Sequence, residues 1–446
     1  MKRALFLTLL IVPSMLVMGS SHKGLRVRGD RDDVETALLQ TTEQIASAEV
    51  NPPQPEGLGS DQPSSSVHFH RGNSALGIPF ELVGKHVVVQ VVVNDSFKID
   101  MILDTGMGLV KGAILLDPED GRRLGLEYVG HLPLGGGGSE EPKTANVSVG
   151  ATLSLQGVTF KDQQLLVLTE TGRYEDWPAQ GIIGRTVFDC VVEIDYDDSV
   201  LNLYEDAAFR SDNSGEVLSV TYTYGVPVVD GSVLIEGEED VPVKLVVDTG
   251  AEELLLFAYT NERIEPPRDV IRGEDDILSE GLLGDILGVT GRILELKVGS
   301  FVLDSVVTSF PVEESMGPAV QLGQHGFIGS DVLQRFTVVF DYAADRIYLE
   351  PNRWFDEPFE VNMAGLLYAP RPNGYLKVYE VVQESPASEN GITKGDLIVA
   401  INGEDVRELS SSQQYEIFIQ EGSTIELTIE RDSQRFTRSM TLRRLI

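Results

Sequence analysis

A short sequence that occurs twice constrains this chain more than any other feature. An apolar run ends in Asp-Thr-Gly at "KIDMILDTG" (98–106) and again at "PVKLVVDTG" (242–250). In each half an apolar-apolar-Gly element follows, "GIIG" at 181–184 and "GFIG" at 326–329, and its last glycine stands 80 or 81 residues after the aspartate. Features that recur in the same order at nearly equal spacing indicate a duplicated structural unit.

The rest of the 446-residue chain favours a mainly β protein. Short apolar runs bounded by Gly, Asn and Asp are frequent, for example "HVVVQVVV" and "RFTVVFDY", whereas runs with a helical period are few. Such runs predict strands separated by turns. We assign residues 78–210 to a first lobe and 211–355 to a second, and each lobe has the size of an ordinary domain.

The charge of the chain excludes some partners. The formal net charge is −35, and nucleic acids bind to basic surfaces, so no nucleic-acid partner is expected. Adsorption to anionic membrane surfaces is disfavoured for the same reason. Solubility is the simplest role for the excess of acidic residues, and an acidic binding surface is the alternative.

The N-terminal sequence resembles an export signal. Lys2 and Arg3 precede a mainly apolar run, and small residues follow it, so residues 1–21 are predicted to be a signal peptide. The protein is then exported, to the periplasm or the medium; an uncleaved anchor is the alternative. Residues 22–77 are rich in Pro, Ser and Gln and are predicted to be a flexible linker or a propeptide. Cys190 is the sole cysteine, so no disulfide forms within the chain.

The repeated Asp-Thr-Gly suggests a chemistry. Each apolar strand delivers an aspartate, Asp104 or Asp248, to the end of a sheet, and the glycine after the threonine permits a sharp turn. If the two turns meet across a pseudo-twofold axis, their carboxyl groups share one proton. The ionised member then activates a water, and the protonated member polarises a carbonyl and protonates the leaving amine. Such a pair needs neither a metal nor another cofactor.

These residues resemble those of the bacterial retropepsin-like aspartic proteases that carry a C-terminal PDZ domain. The resemblance rests on the two Asp-Thr-Gly triplets and the two apolar-apolar-Gly elements, and it covers about residues 78–351. It implies two β-barrel lobes in pseudo-twofold arrangement, with Asp104 and Asp248 as the catalytic pair. It also implies that Thr105 and Thr249 make interlocking hydrogen bonds, supported by Gly106 and Gly250. Because both halves lie in one chain, a monomer suffices.

The chain departs from the family pattern directly after the triplets. Family members often have a small hydroxyl residue there, but this chain has Met107-Gly108 in the first lobe and Ala251-Glu252 in the second. The family also covers its site with hairpin flaps. Segments 130–147, which contains the run "GGGG", and 283–292 are the flap candidates, with a disordered loop as the alternative for the glycine run.

The C-terminal residues 361–446 resemble a PDZ domain. In "MAGLLYAP" (363–370), Gly365, Leu366 and Leu367 hold the positions of the carboxylate-binding loop, and "ESPASENGITKGDLIVAING" is similar to PDZ domains of exported bacterial proteases. The resemblance implies binding of peptide or protein substrates at a sheet edge. The alternative is a groove filled by the protein's own chain.

Two functions remain open on the sequence. The first is an extracytoplasmic aspartic endopeptidase whose PDZ domain engages its substrates. The second is a non-catalytic peptide-binding protein that retains the protease fold. The chain has no metalloprotease His-Glu-x-x-His, no serine-hydrolase Gly-x-Ser-x-Gly and no phosphate-binding loop. Its six histidines show no metal-ligand spacing; His68 and His70 are neighbours and are expected to be solvated.

Overall fold

A computed structural model describes residues 67–108, 112–138, 140–170, 179–210, 215–271, 276–317, 323–371 and 373–446. The described residues lie in one compact unit. The predicted signal peptide and most of the predicted linker lie outside the described residues. In the part of the chain that is described, no helix has the length and apolar character needed to cross a membrane.

The fold is mainly β, as the sequence predicts. The strands of the first lobe are β1 (Val67–Phe69), β2 (Ser74–Val83), β3 (His86–Val93), β4 (Phe97–Leu103), β5 (Ala113–Leu115), β6 (Gly130–Leu134), β7 (Lys143–Leu155), β8 (Val158–Leu168), β9 (Gly181–Ile183), β10 (Val191–Asp195) and β11 (Val200–Tyr204). A short helix, α1 (Pro118–Arg123), follows β5.

The first lobe starts before residue 78. Strand β2 pairs with β11 and with β3, and its residues Ala75 and Ile78 are buried in the core. The apolar alternation in "SALGIPFELV" is interrupted by Gly77 and Pro79, which explains why the start of this strand is hard to place from sequence.

The second lobe repeats this order. Its strands are β12 (Glu216–Ser219), β13 (Thr221–Thr223), β14 (Val226–Leu234), β15 (Val241–Val247), β16 (Leu254–Leu256), β17 (Ile277–Gly281), β18 (Gly284–Arg292), β19 (Glu295–Val298), β20 (Phe301–Asp304), β21 (Val307–Pro311), β22 (Gly326–Ile328), β23 (Phe336–Asp341) and β24 (Arg346–Pro351). Helix α2 (Ser330–Leu333) follows β22.

The apolar-apolar-Gly elements lie beside the strands that carry the aspartates. In the first lobe β9 runs parallel to β4, with Ile183 opposite Leu103, and antiparallel to β5. In the second lobe β22 runs parallel to β15, with Ile328 opposite Val247, and antiparallel to β16. The repeat in the sequence is therefore a repeat in strand pairing, and it places each Asp-Thr-Gly at the same point of its lobe.

The two lobes share a sheet. Strand β10 of the first lobe pairs with β23 of the second, with Ile194 opposite Val338. The sheet continues through β24 and β12 on one side and through β11 and β2 on the other. One buried apolar cluster runs across both lobes, so their relative position is fixed by backbone pairing and by a common core.

The C-terminal domain is a separate small sheet. It contains β25 (Leu366–Pro370), β26 (Leu376–Val381), β27 (Leu397–Ile401), β28 (Glu404–Asp405), β29 (Thr424–Arg431) and β30 (Gln434–Thr441). Its helices are α3 (Pro386–Glu389) and α4 (Ser411–Phe418), and each begins with a serine capping box. Strand β25 forms one edge of the sheet. The domain has its own apolar core, which includes Phe418 and Leu427.

Candidate active site

The two Asp-Thr-Gly turns meet at the lobe boundary through their threonines. The backbone N–H of Thr105 donates to Oγ1 of Thr249 (3.0 Å), and the N–H of Thr249 donates to Oγ1 of Thr105 (3.0 Å). Each hydroxyl in turn donates to a carbonyl of the opposite lobe: Thr105 to Val247 (2.7 Å) and Thr249 to Leu103 (2.8 Å). These four buried hydrogen bonds satisfy both hydroxyls and tie the turns together.

The glycines bring each turn against the opposite aspartate. A Cβ atom added to Gly106 would lie 2.7 Å from both carboxylate oxygens of Asp248, and one added to Gly250 would lie 2.6 Å from Cγ of Asp104. A side chain at either position would therefore collide with the partner carboxyl group. The structure thus brings together all six predicted residues of the two triplets.

The carboxyl groups are buried and similarly held. Oδ1 of Asp104 accepts from the N–H of Gly106 (2.6 Å), and Oδ1 of Asp248 accepts from the N–H of Gly250 (2.8 Å). Both side chains are 0% exposed. Oδ2 of each aspartate receives no hydrogen bond from a donor in the described residues, so these are the oxygens that can share a proton.

Burial and proximity change the acidity of the pair. Burial, followed by the negative charge of Asp248, raises the pKa of Asp104 well above its usual range. Burial also raises the pKa of Asp248, although the Gly250 N–H, a hydrogen bond with Asp104 and the charge of His86 favour its ionised form. Two adjacent carboxyl groups in a dry site cannot both ionise easily, so the pair retains one proton near neutral pH.

A buried histidine lies directly behind the Asp248 turn. Nε2 of His86 is 3.2 Å from the carbonyl oxygen of Gly250, and Nδ1 is 3.1 Å from Oε1 of Glu252. The side chains of His86 and Glu252 are 0% and 5% exposed. Glu252 occupies the position where the family pattern often has a small hydroxyl, so an ion pair stands behind this turn instead.

The two flap candidates contact each other. The candidate segments 130–147 and 283–292 belong to the hairpins β6–β7 and β17–β18, and the turn of the second hairpin spans 281–284. The N–H of Leu283 donates to the carbonyl of Gly137 (2.7 Å), and the N–H of Glu140 donates to the carbonyl of Leu283 (2.7 Å). Residues 135–138 are buried. The glycine run is therefore packed against the turn of the second hairpin.

An apolar cluster connects the flap candidates to the first Asp-Thr-Gly turn. It contains Met107, which follows the first triplet, together with Leu134 at the base of one flap and Leu282 at the tip of the other. Because both aspartates are buried and the flap tips are hydrogen-bonded, the site is closed in this structure.

The predicted carboxylate-binding loop lies at the mouth of a groove between β25 and α4. Gly365 has φ +77°, and a Cβ there would lie 2.3 Å from Cβ of Ser385, so this position requires glycine. Leu366 and Leu367 are buried at the start of β25. Together with Tyr415 on α4, these residues line a cavity of about 530 Å³.

The two lobes also line this cavity. Lys85, Glu252 and Asp331 line it, and Nζ of Lys85 lies 5.9 Å from the ring centre of Tyr415. The groove of the C-terminal domain therefore opens toward the lobes rather than toward an isolated surface.

The lobe pairing, the two parallel apolar-apolar-Gly strands and the interlocked threonines are the features that the resemblance to aspartic proteases implies. Comparison with known families agrees: residues 89–187 match the family model described as aspartyl protease, and residues 361–442 match that of the PDZ domain. No curated protein matches the chain. The chain thus contains a retropepsin-like aspartyl protease domain and a PDZ domain, which confirms the resemblance of its sequence.

The sequence did not reveal His86 as a site residue. It stands at the start of an apolar strand, and its contact with Gly250 spans 164 residues. A single histidine in such a run is more often a core residue than a functional one, and no local spacing distinguishes the two. The internal repeat offers the only sequence signal for His86. The matching position of the second lobe is the apolar Val226, so a histidine at this position departs from the repeat.

Proposed function

We propose that this chain is an aspartic endopeptidase that hydrolyses peptide bonds with a water activated by Asp104 and Asp248. The observation that carries the proposal is the buried pair of carboxyl groups, held by interlocked threonines and packed against the opposite glycines. Such a rigid and dry arrangement keeps one proton on the pair. The match to the aspartyl protease family supports the same reaction.

The chemistry follows from the shared proton. The ionised carboxylate removes a proton from water as the water attacks the peptide carbonyl. The protonated carboxyl donates a hydrogen bond to the carbonyl oxygen and stabilises the charge that develops there. The proton taken from water then passes to the leaving amine. Thr105 and Thr249 hold the two turns at the required separation, and Gly106 and Gly250 leave space for the carboxyl groups to approach.

The PDZ domain is proposed to engage the substrate proteins. Its carboxylate-binding loop (Gly365, Leu366 and Leu367) lies at a groove with an edge strand, the arrangement by which peptides add to a sheet. The apolar N-terminal run at 1–21 supports export, to the periplasm or the medium, as the place of action. Because one chain supplies both halves of the pair, a monomer is the proposed catalytic unit.

The test is cleavage of a diverse peptide mixture by the purified chain, with Asp104→Asn and Asp248→Asn made singly. Asparagine keeps the shape of the side chain but cannot act as base or acid. We expect either change to lower cleavage by at least about a thousandfold, since each removes one of two groups that act as a unit. Products of wild type are sequenced to define the cleaved bonds.

A result without cleavage would favour the alternative, a peptide-binding protein that retains the fold. The departures at Met107-Gly108 and Ala251-Glu252, which lack the supporting hydroxyl, are the observation in its favour. Binding of peptides to wild type and to both asparagine variants, in the absence of any cleavage, would support it.

A further inference from the structure

The contacts of His86 determine its protonation. A backbone carbonyl only accepts hydrogen bonds, so Nε2, 3.2 Å from the oxygen of Gly250, must carry a hydrogen. Nδ1 lies 3.1 Å from Oε1 of Glu252, and an ionised carboxylate also only accepts. The Nδ1 contact is an ion-pair contact rather than a hydrogen bond of normal geometry. A lone pair on Nδ1 would repel a carboxylate oxygen at this distance, whereas a proton on Nδ1 makes the contact attractive, and His86 is then an imidazolium. In a buried site the loss of either charge would leave the other uncompensated, which is costly.

The pseudo-twofold counterpart of this pair has no charge. Strand β3 pairs with β4 so that Val88 lies opposite Ile102, and β14 pairs with β15 so that Val228 lies opposite Val246. Counting back along β3 and β14 makes Val226 the counterpart of His86.

The residue four places after each aspartate completes the comparison. Glu252 follows Asp248 by four residues, and Gly108 follows Asp104 by four. One turn of an otherwise symmetric pair is therefore backed by a histidine and a glutamate, and the other by a valine and a glycine.

The charge on His86 acts through the turn that holds Asp248. The peptide group between Gly250 and Ala251 accepts from His86 with its carbonyl oxygen. Its N–H donates to the backbone carbonyl of Asp248 (3.2 Å) and, close to the carboxyl group, favours its ionised form. A hydrogen bond to one end of a peptide group strengthens the donor at its other end. Among the influences on the pKa of Asp248, the charge of His86 opposes burial and favours ionisation.

We propose that His86, protonated and held by Glu252, is a positioning residue that keeps the negative charge of the dyad on Asp248 and the shared proton on Asp104. This inference rests on the proposed function of the dyad and deepens it. Asp248 is then the base that activates water, and Asp104 is the acid that polarises the substrate carbonyl. The two aspartates have different roles although their turns have the same sequence.

The other charged groups near His86 do not cancel this asymmetry. Lys85, the preceding residue, pairs with Asp331 of α2 at 2.9 Å, so the two form a neutral unit. Glu253 accepts a hydrogen bond from the hydroxyl of Ser309 and belongs to the adjoining backbone. Tyr415 of the PDZ domain faces Lys85 rather than the histidine.

Glu252→Gln tests the inference with little change of shape. The glutamine can donate its amide N–H to Nδ1, so His86 becomes a neutral imidazole while its bond to Gly250 remains. Loss of the positive charge makes ionisation of Asp248 harder. The acidic limb of the kcat/KM profile should therefore move to higher pH, by roughly 0.5–1 unit. If Glu252 instead acted on Asp248 directly, as a nearby negative charge, its removal would make Asp248 easier to ionise. The acidic limb of the kcat/KM profile would then move to lower pH.

Two further variants separate charge from packing. His86→Gln removes the same positive charge and should shift the acidic limb in the same direction. Val226→Ala loosens the apolar counterpart behind the Asp104 turn without a change of charge, and it should leave the limb within about 0.2 unit. A limb that stays in place in Glu252→Gln, or moves to lower pH, overturns the inference. A similar shift in Val226→Ala would also overturn it.

A readout without activity distinguishes this inference from the proposed function. In ¹⁵N spectra of the wild-type histidine rings at pH 7.5, the His86 signals, assigned with His86→Gln, should show two protonated nitrogens. In Glu252→Gln they should show one. The ¹³C signal of the Asp248 carboxyl carbon should titrate at higher pH in Glu252→Gln than in wild type.

If wild type cleaves nothing, the proposed function fails, and these spectra still decide the inference. A neutral His86 in wild type would overturn it.

Discussion

At the scale of single residues, the threonine hydroxyls carry the junction between the lobes. Oγ1 of Thr105 donates to Val247 and accepts from Thr249, and Thr105 is only 3% exposed. Valine has nearly the same shape but no hydroxyl, so a Thr105→Val change leaves a buried carbonyl and a buried N–H without their partners.

Thr105→Val should therefore lower the free energy of unfolding by about 1–3 kcal/mol. Chemical denaturation measures this change. Thr105→Ser keeps the hydroxyl and should retain most of the stability and the cleavage activity. Equal losses in the serine and valine variants would show that the methyl group, and not the hydrogen bonds, matters at this position.

The raised pKa values of the two aspartates have a consequence for stability. In the unfolded chain these carboxyl groups titrate near pH 4, whereas burial raises both pKa values in the folded protein. Between the unfolded and folded values the folded protein binds more protons than the unfolded chain. Its free energy of unfolding therefore falls as the pH rises through this window.

Asp248→Asn removes the free-energy cost of ionising a buried carboxyl group. The inactive variant should therefore be more stable than wild type at pH 7–8. The melting temperature should rise by a few degrees, about 2–4 °C for each kcal/mol, and the difference should shrink toward pH 4. Calorimetry across this pH range provides the measurement. A variant that melts below wild type at neutral pH would contradict the pKa shifts on which the shared proton depends.

At the scale of elements, the sequence predicts what depends on local pattern and repetition. The repeated triplets and apolar-apolar-Gly runs identify β4, β9, β15 and β22 and the pairing of the aspartates. The turn of the second flap lies at 281–284, at the start of the predicted segment 283–292. The contact between Gly137 and Leu283 could not be predicted, since it depends on how two distant hairpins approach. The partners of His86 were unpredictable for the same reason.

The flap tips offer a direct test of this contact. Gly138 has φ +112°, and a Cβ there would lie 2.2 Å from the carbonyl carbon of Leu283. Gly138→Ala should therefore separate the tips, speed hydrogen exchange of the Leu283 N–H, and lower kcat/KM by about tenfold or more. Gly130→Ala is the matched control, because Gly130 belongs to the same hairpin and a Cβ there meets nothing within 4 Å. Unchanged exchange at Leu283 in Gly138→Ala would contradict a tip-to-tip contact.

At the scale of the whole molecule, the PDZ domain is packed against the protease lobes. Ala369 of β25 is 0% exposed and belongs to the same buried cluster as Leu134 and Leu282 of the flaps, with Tyr379 of β26 packed beside it. Glu360, in the segment between the two parts, pairs with Arg444 near the C terminus. The PDZ domain and the flaps therefore share apolar packing, so a displacement of one should disturb the packing of the other.

Ala369→Asp tests this packing because the residue lies outside the core of the PDZ domain itself. A buried, unpaired carboxylate is costly, so the domain should detach from the lobes while both remain folded. Wild type should melt in one transition, and the variant should melt in two and show a larger radius of gyration in X-ray scattering. Hydrogen exchange at Leu282 should also increase.

Val149→Asp is the control, since Val149 is 58% exposed and should tolerate the charge. One unchanged transition in Ala369→Asp would mean that the two parts are held together by other contacts, such as the pairing of Glu360 with Arg444.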